Sequence, residues 1–396
     1  MPNSFDHIIE RPGTSCLKYD ARKRTFGKAD VIPMWVADMD FAVPDAVQRA
    51  VAERASHPIY GYSIFPESLY QALINWLSAR HGWRVEREWI VLSPGVNPSL
   101  HASIIALTDE GASVIVQPPI YPPFLSAPAA TGRKLITNPL MLVNGTYRFD
   151  LEHFEKCIDE GVRLLLLCSP HNPVGRVWRE DELRALIAIC ARHNVTIISD
   201  EIHSDLIYPE YKHTPLALLS HGAINVITAI APSKTFNIPG LGLSALIVQN
   251  KRDRDAIIRA FGTLHVSANN PFGMVAFEAA YREGAPWLGE LLAYLADTRD
   301  FVRTFIKAHL PRITLIEPEG TYLLWLDCRA MGLTDSQLNN YFINTVGLGL
   351  SPGVLFGEQG SGFMRMNIGA PRSLVVRALE QIALAEQLSC NPRKIY

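Results

Sequence analysis

The sequence predicts an α/β protein, with a large domain on a mainly parallel sheet and a smaller α+β domain, and three observations carry that expectation. Seven short apolar runs, residues 89–92, 113–117, 134–137, 163–168, 196–199, 226–230 and 245–249, are near-continuously hydrophobic. Strands buried on both faces of a parallel sheet have that pattern, whereas half-exposed strands alternate. Amphipathic stretches suited to helices lie between the runs, at 98–108, 151–160 and 180–193, which gives the alternating rhythm of an α/β sheet. Beyond about residue 284 the rhythm changes to one long helix candidate (287–309), strand-like 314–317 and 322–327, a Gly-rich stretch and a closing helix near 373–387.

The 396 residues suffice for one large and one small domain with a sizeable core. The expected large domain is 46–284. The turn-rich arm 1–45 is too short to fold alone, so it is expected to join 285–396 in the small domain.

Lys plus Arg total 37 against 39 for Asp plus Glu, without long runs of one sign. That balance lacks the footprint of a nucleic-acid or anionic-membrane binder, and a small-molecule partner is expected. Cys16, Cys157, Cys168, Cys190, Cys328 and Cys390 are scattered without ligand spacing and read as reduced, mostly buried thiols. The N-terminus has no apolar secretory core, and no apolar run approaches the roughly 20 residues of a spanning helix. A cytoplasmic enzyme is expected.

Four loops carry chemistry. Ala231-Pro232-Ser233-Lys234-Thr235-Phe236-Asn237 follows the apolar run 226–230. A lysine held at the carboxyl edge of a sheet loses solvation, its pKa falls, and it can form an imine with a carbonyl compound; an ordinary solvated loop lysine is the plain alternative. Asp200-Glu201-Ile202-His203-Ser204-Asp205 follows run 196–199. A carboxylate at a strand end needs a cation, and a protonated pyridine nitrogen is one; a helix cap, or a metal held by Asp200, His203 and Asp205, are alternatives. Ser169-Pro170-His171-Asn172-Pro173-Val174-Gly175 sets Asn172 on a rigid turn. Ser93-Pro94-Gly95-Val96-Asn97-Pro98 leads into a helix whose first N–H groups can receive phosphate.

The order of these signals along the chain, with Tyr121 between the Gly95 turn and the Asn172 turn, resembles the fold-type I enzymes that depend on pyridoxal 5'-phosphate (PLP). Met34-Trp35-Val36-Ala37-Asp38-Met39-Asp40-Phe41, Tyr60-Gly61-Tyr62, Glu319-Gly320-Thr321-Tyr322 and Gly362-Phe363-Met364-Arg365-Met366-Asn367 narrow it. With them, nearly the whole chain resembles the cystathionine β-lyase (MalY/PatB) branch of the class I/II aminotransferase superfamily. Where ordinary class I aminotransferases carry a Ser three residues before the lysine and an Arg eight after it, this chain has Ala231 and Gly242; the usual Tyr three after the aspartate is His203. The missing phosphate arginine favours a lyase over a transaminase, because the lyase branch lacks it too.

The resemblance implies a PLP-dependent transferase fold (fold type I) and a homodimer with shared active sites. It implies that Lys234 carries PLP as a Schiff base and takes the Cα proton. Asp200 pairs with the pyridinium, Tyr121 stacks on the ring, and Asn172 and His203 face the phenolate. Gly95, Val96 and Ser233 hold phosphate, with Tyr62 from the neighbouring subunit. Arg365 clamps the substrate carboxylate, with Asn172 and Val36 beside it; no metal is implied. Met39, Asp40 and residues 265–273 are expected to set the size of the leaving group. The implied reaction is carbon–sulfur β-elimination from cystathionine or another S-substituted cysteine, giving pyruvate, ammonia and a thiol. Transamination through the same Lys234 and Asp200 is the alternative, and a non-catalytic ligand-binding or regulatory protein is the minor one.

Overall fold

The structure, a computed structural model, describes residues 4–159 and 161–390. Glu160, the expected end of one helix, and the Cys390 side chain lie outside the described residues; Cys16, Cys168, Cys190 and Cys328 are free thiols.

All seven expected strands form, each within one residue of its expected ends: β1 (Ile90–Ser93), β2 (Ser113–Val116), β3 (Lys134–Thr137), β4 (Val162–Cys168), β5 (Thr196–Asp200), β6 (Val226–Ile230) and β7 (Ser244–Val248). They make one sheet in the order β1-β7-β6-β5-β4-β2-β3. β7 runs antiparallel to both of its neighbours, and every other pairing is parallel. The inner strands are buried on both faces: Leu165, Leu167 and Ile197 enter one apolar cluster, Leu164, Leu166 and Ile198 the other. This is why their sequences lack alternation.

The C-terminal part holds a four-stranded antiparallel sheet, order β8-β9-β11-β10, from β8 (Thr314–Ile316), β9 (Leu323–Asp327), β10 (Ser351–Pro352) and β11 (Phe363–Asn367). Helices Ala285–His309 and Arg372–Cys390 accompany it. The N-terminal segment docks here: Ile32–Pro33 pairs with Leu348–Gly349, and Asp40 N–H donates to Gly369 O at 2.7 Å.

Four long helices were not foreseen: Asp45–Ser56, Glu67–His81, Lys251–Thr263 and Pro271–Glu283. In Asp45–Ser56 only Val47 is fully buried, with Ala50 and Val51 packed beside it, so its apolar stripe is short and made of small residues. Glu67–His81 buries Leu69, Leu73, Trp76 and Leu77, a helical spacing that was there to be read, and it ends at Gly82 in the left-handed region.

Candidate active site

β1, β4, β5 and β6 run in the same direction, so the four chemistry-bearing loops leave the sheet at one edge, where ligand sites of open α/β sheets form. Between that edge and the C-terminal sheet lies a cavity of about 420 Å³, lined by Gly95, Val96, Tyr121, Asn172, Asp200, His203, Ser233, Lys234, Val36 and Arg365. Residues from seven separate stretches of the chain are thereby brought together.

The charged groups at this edge are poorly compensated. Asp200 is 5 % exposed; its Oδ1 accepts from Ile202 N–H at 3.1 Å. Burial pushes its carboxyl up to about 7, against the smaller opposing pull of that hydrogen bond and of Lys234. Burial likewise brings the Lys234 amine down to about 8, with Arg365 adding to the effect and Asp38 and Asp200 opposing it. Its Nζ donates to Ala37 O at 2.7 Å. His203 is buried, its Nδ1 has no partner, and burial lowers it to about 3.

Arg365 projects from β11. Its Nη1 donates to Asn172 Oδ1 at 3.0 Å, its Nη2 to Trp35 O at 2.7 Å, and its guanidinium lies 4.8 Å from the Phe356 ring centre. No carboxylate among the described residues pairs with it, its Nε has no partner, and burial lowers it to about 10. An arginine so placed suits a planar carboxylate ligand.

Helix Val96–Leu107 starts at the cavity, and Ser93 Oγ, under the turn, lies 2.5 Å from Ser99 Oγ and 2.7 Å from Ser244 Oγ. Gly242 has φ +53°, and a Cβ there would stand 3.2 Å from Pro94 O. An arginine at that position would be strained in both backbone and space.

Three expectations need correction or qualification. Met39 and Asp40 line a neighbouring cavity, and the Asp40 carboxylate is held by Lys18 at 2.8 Å and by Arg11. Residues 265–273 do not line the active cavity either; the wall there comes from Trp35, Leu355 and Phe356. Tyr62 stands fully exposed, away from the cavity of its own chain. Asp205, weighed as a metal ligand, instead accepts from Trp76 Nε1 and sits 2.9 Å from His81 Nε2; among the described residues no cluster could hold a metal. Sequence reasoning missed Asn237, Tyr322, Ser351 and Asn367, which hold the backbone around the site. Asn237 has φ +57°, a conformation that asparagine tolerates better than most residues.

The model of the "Aminotransferase class I and II" family matches residues 29–382. The chain belongs to that family. It is 40 % identical over 384 residues to "Cystathionine beta-lyase PatB" of Bacillus subtilis, covering 96 % of this chain and 99 % of the relative. To "Protein MalY" of Escherichia coli it is 33 % identical, covering 93 % and 95 %. Among solved structures, cystalysin from Treponema denticola, described as containing pyridoxal 5'-phosphate, superposes with a TM-score of 0.94 at 32 % identity over 98 % of this chain and 99 % of the other. The PLP-bound C-S lyase of Staphylococcus hominis, in complex with L-cycloserine, gives 0.90 at 32 % identity, over 97 % and 98 %. The fold is therefore that of the PLP-dependent class I aminotransferases.

The cavity residues fit that cofactor. A buried acid without a cation suits a pyridine N–H, an orphaned imidazole nitrogen and an amide suit a phenolate oxygen, a helix start with a nearby serine suits a phosphate, and a desolvated lysine suits an aldehyde.

Proposed function

We propose that this protein is a PLP-dependent carbon–sulfur β-lyase that converts an S-substituted cysteine, such as cystathionine, and water to pyruvate, ammonia and a thiol. The observation that carries the reading is Arg365, a buried guanidinium without a carboxylate partner, in one cavity with Lys234 and Asp200. The relatives named as lyases support the choice of carbon–sulfur cleavage.

Bound in this cavity, PLP supplies an aldehyde for imine formation and a ring that withdraws the electron pair left at Cα. Lys234 is the residue that joins it, and Asp200 holds the positive charge at the ring nitrogen. Asn172 and His203 face the phenolate side, Tyr121 lies against the ring, and Gly95, Val96 and Ser233 receive the phosphate. Arg365 takes the substrate α-carboxylate in two parallel hydrogen bonds, with Asn172 and Val36 beside it, and so fixes the direction of the Cα–H bond. Once the substrate amine takes its place on the cofactor, Lys234 would be freed as an amine beside Cα, placed to take the Cα proton. The β-thiolate departs from Cβ.

The same reading includes a homodimer in which the partner's Tyr62 completes the phosphate site, supported by the exposed apolar run Ile59, Tyr60, Tyr62 and Ile64. It also divides the chain into 46–284 and 1–45 with 285–396; the seven-stranded sheet inside the former and the four-stranded sheet inside the latter support this. A cytoplasmic setting belongs to the reading, and among the described residues no helix is long and apolar enough to cross a membrane.

The test is incubation with PLP and cystathionine or S-methylcysteine, with pyruvate and free thiol measured with and without an added keto acid. Equal pyruvate and thiol without a keto acid is expected. Turnover that depends on the keto acid and releases no thiol would replace the lyase with a transaminase.

A further inference from the structure

We infer that Asp38 is a positioning residue: clamped by Arg11 and Lys18 of the N-terminal arm, it fastens residues 35–39 as a backbone rack on which Lys234 and Arg365 are hung. The inference rests on the roles given above to those two residues.

Five consecutive carbonyls of this rack accept hydrogen bonds from side chains. Trp35 O accepts from Arg365 Nη2 at 2.7 Å and Ser351 Oγ at 3.1 Å. Val36 O and Asp38 O both accept from Asn367 Nδ2 at 2.6 Å. Ala37 O accepts from Lys234 Nζ at 2.7 Å and Tyr322 Oη at 3.0 Å. Met39 O accepts from Asn237 Nδ2 at 2.9 Å. A half-buried backbone segment that pairs with no strand among the described residues must satisfy its carbonyls in another way, and here two of the donors are the two cations of the site. Displacing the rack by an ångström displaces both.

The rack is fastened from its far side. Arg11 Nη2 meets Asp38 Oδ2 at 2.7 Å, and Arg11 Nη1 reaches Asp38 Oδ1 at 3.2 Å, a two-pronged pair. Arg11 Nη1 also meets Asp40 Oδ1 at 2.5 Å. Lys18, 1 % exposed, lies 2.8 Å from Asp40 Oδ2 and 3.7 Å from Asp38 Oδ1. Asp38 sits on the rack and Asp40 directly after it, and Arg11 and Lys18 meet them from residues 11–18, so the charges cancel across the junction.

Asp38 also reaches Lys234 electrostatically. The groups that face Lys234 are Asp38 from the rack, Asp200 from the end of β5, His203 after it, Tyr322 just before β9, and Arg365 from β11. Asp38 and Asp200 favour the ammonium and Arg365 opposes it. Arg11 tempers Asp38, so removing Arg11 leaves more of the Asp38 field on Lys234, and removing the Asp38 charge takes that field away.

The experiment follows the pH midpoint of Lys234 acylation by acetic anhydride, read by peptide mass spectrometry in cofactor-free protein, for wild type, Asp38→Asn, Arg11→Gln and Arg11→Lys. The midpoint is expected to fall by about half a pH unit or more in Asp38→Asn and to rise in Arg11→Gln, with Arg11→Lys near wild type. In the PLP-loaded enzyme, Arg11→Gln is expected to raise KM for the amino acid several-fold more than it lowers kcat, because Arg365 leans on Trp35 O. Simple loosening of the fold would move both midpoints upward, toward free lysine; that result, or unmoved midpoints with KM unchanged, overturns the inference. Midpoints that split as expected while no pyruvate forms would retire the lyase reading and leave Asp38 in place. Pyruvate formation with unmoved midpoints would do the reverse.

Discussion

Two arginines are buried to nearly the same depth in this molecule and are treated in opposite ways. Arg176, 1 % exposed, lies between Glu182 at 2.6 Å and Glu319 at 2.9 Å and also donates to Tyr147 O. Arg365, 6 % exposed, has backbone, amide and hydroxyl partners, and among the described residues its Nε has no partner and no carboxylate pairs with it. Two aspartates five residues apart repeat the contrast. Asp205 is held below the usual carboxylate range, its burial outweighed by His81, Arg80 and Trp76, while burial lifts Asp200 to about 7. The frame completes its ion pairs within the chain. The cavity leaves its charges to be completed by what binds there, and an uncompensated buried charge is a better guide to the site than burial or charge alone.

That contrast can be broken at several points. The largest effect is expected at Lys234: Lys234→Ala should lose about 10³-fold or more of pyruvate formation while melting no lower than wild type, since it removes a buried amine that no carboxylate pairs. Next come the arginines. Arg365→Leu should cost roughly 10²-fold in kcat/KM with unfolding in urea unchanged or shifted to higher urea. Arg176→Leu strands Glu182 and Glu319 and should cost about 3–5 kcal/mol of stability in the same titration.

The aspartates should separate by pH in cofactor-free protein. The folded chain holds a proton on Asp200 up to about 7, whereas the ordinary carboxyl value is 3.8. Between those values the folded state binds more protons than the unfolded state, so stability falls as pH rises through the window. Asp200→Asn should therefore be the more stable protein at pH 8, by up to roughly 4 kcal/mol, and the difference should close near pH 4. Asp205 has the opposite sign: Asp205→Asn should lose about 1–3 kcal/mol at pH 7, a loss that fades in acid as the wild-type carboxylate is protonated. Urea titrations at both pH values read the two together. The smallest effect is expected at Gly242: Gly242→Arg should cost roughly 1–2 kcal/mol and bring no tighter PLP binding in a spectrophotometric titration.

The sheet was legible because strands buried on both faces are written as unbroken apolar runs, and 134–137 and 226–230 matched residue for residue. The site was legible through its order of loops, since the ends of co-directed strands share one edge. Side chains that act on backbone were not legible. Asn367 and Tyr322 lie within apolar strand-like sequence, and nothing local says that their polar atoms reach residues 36–38. Met39 and Asp40 were expected beside the leaving group; instead Arg11 and Lys18 take the Asp40 carboxylate, and the Met39 side chain is buried in the apolar core beside Gly369.

The account stands most directly on where the cofactor attaches. Borohydride reduction of the PLP-loaded protein, followed by peptide mapping, should place the phosphopyridoxyl group on Lys234 alone and lose it in Lys234→Ala. Label on another lysine, or equal labelling of the variant, would contradict the account.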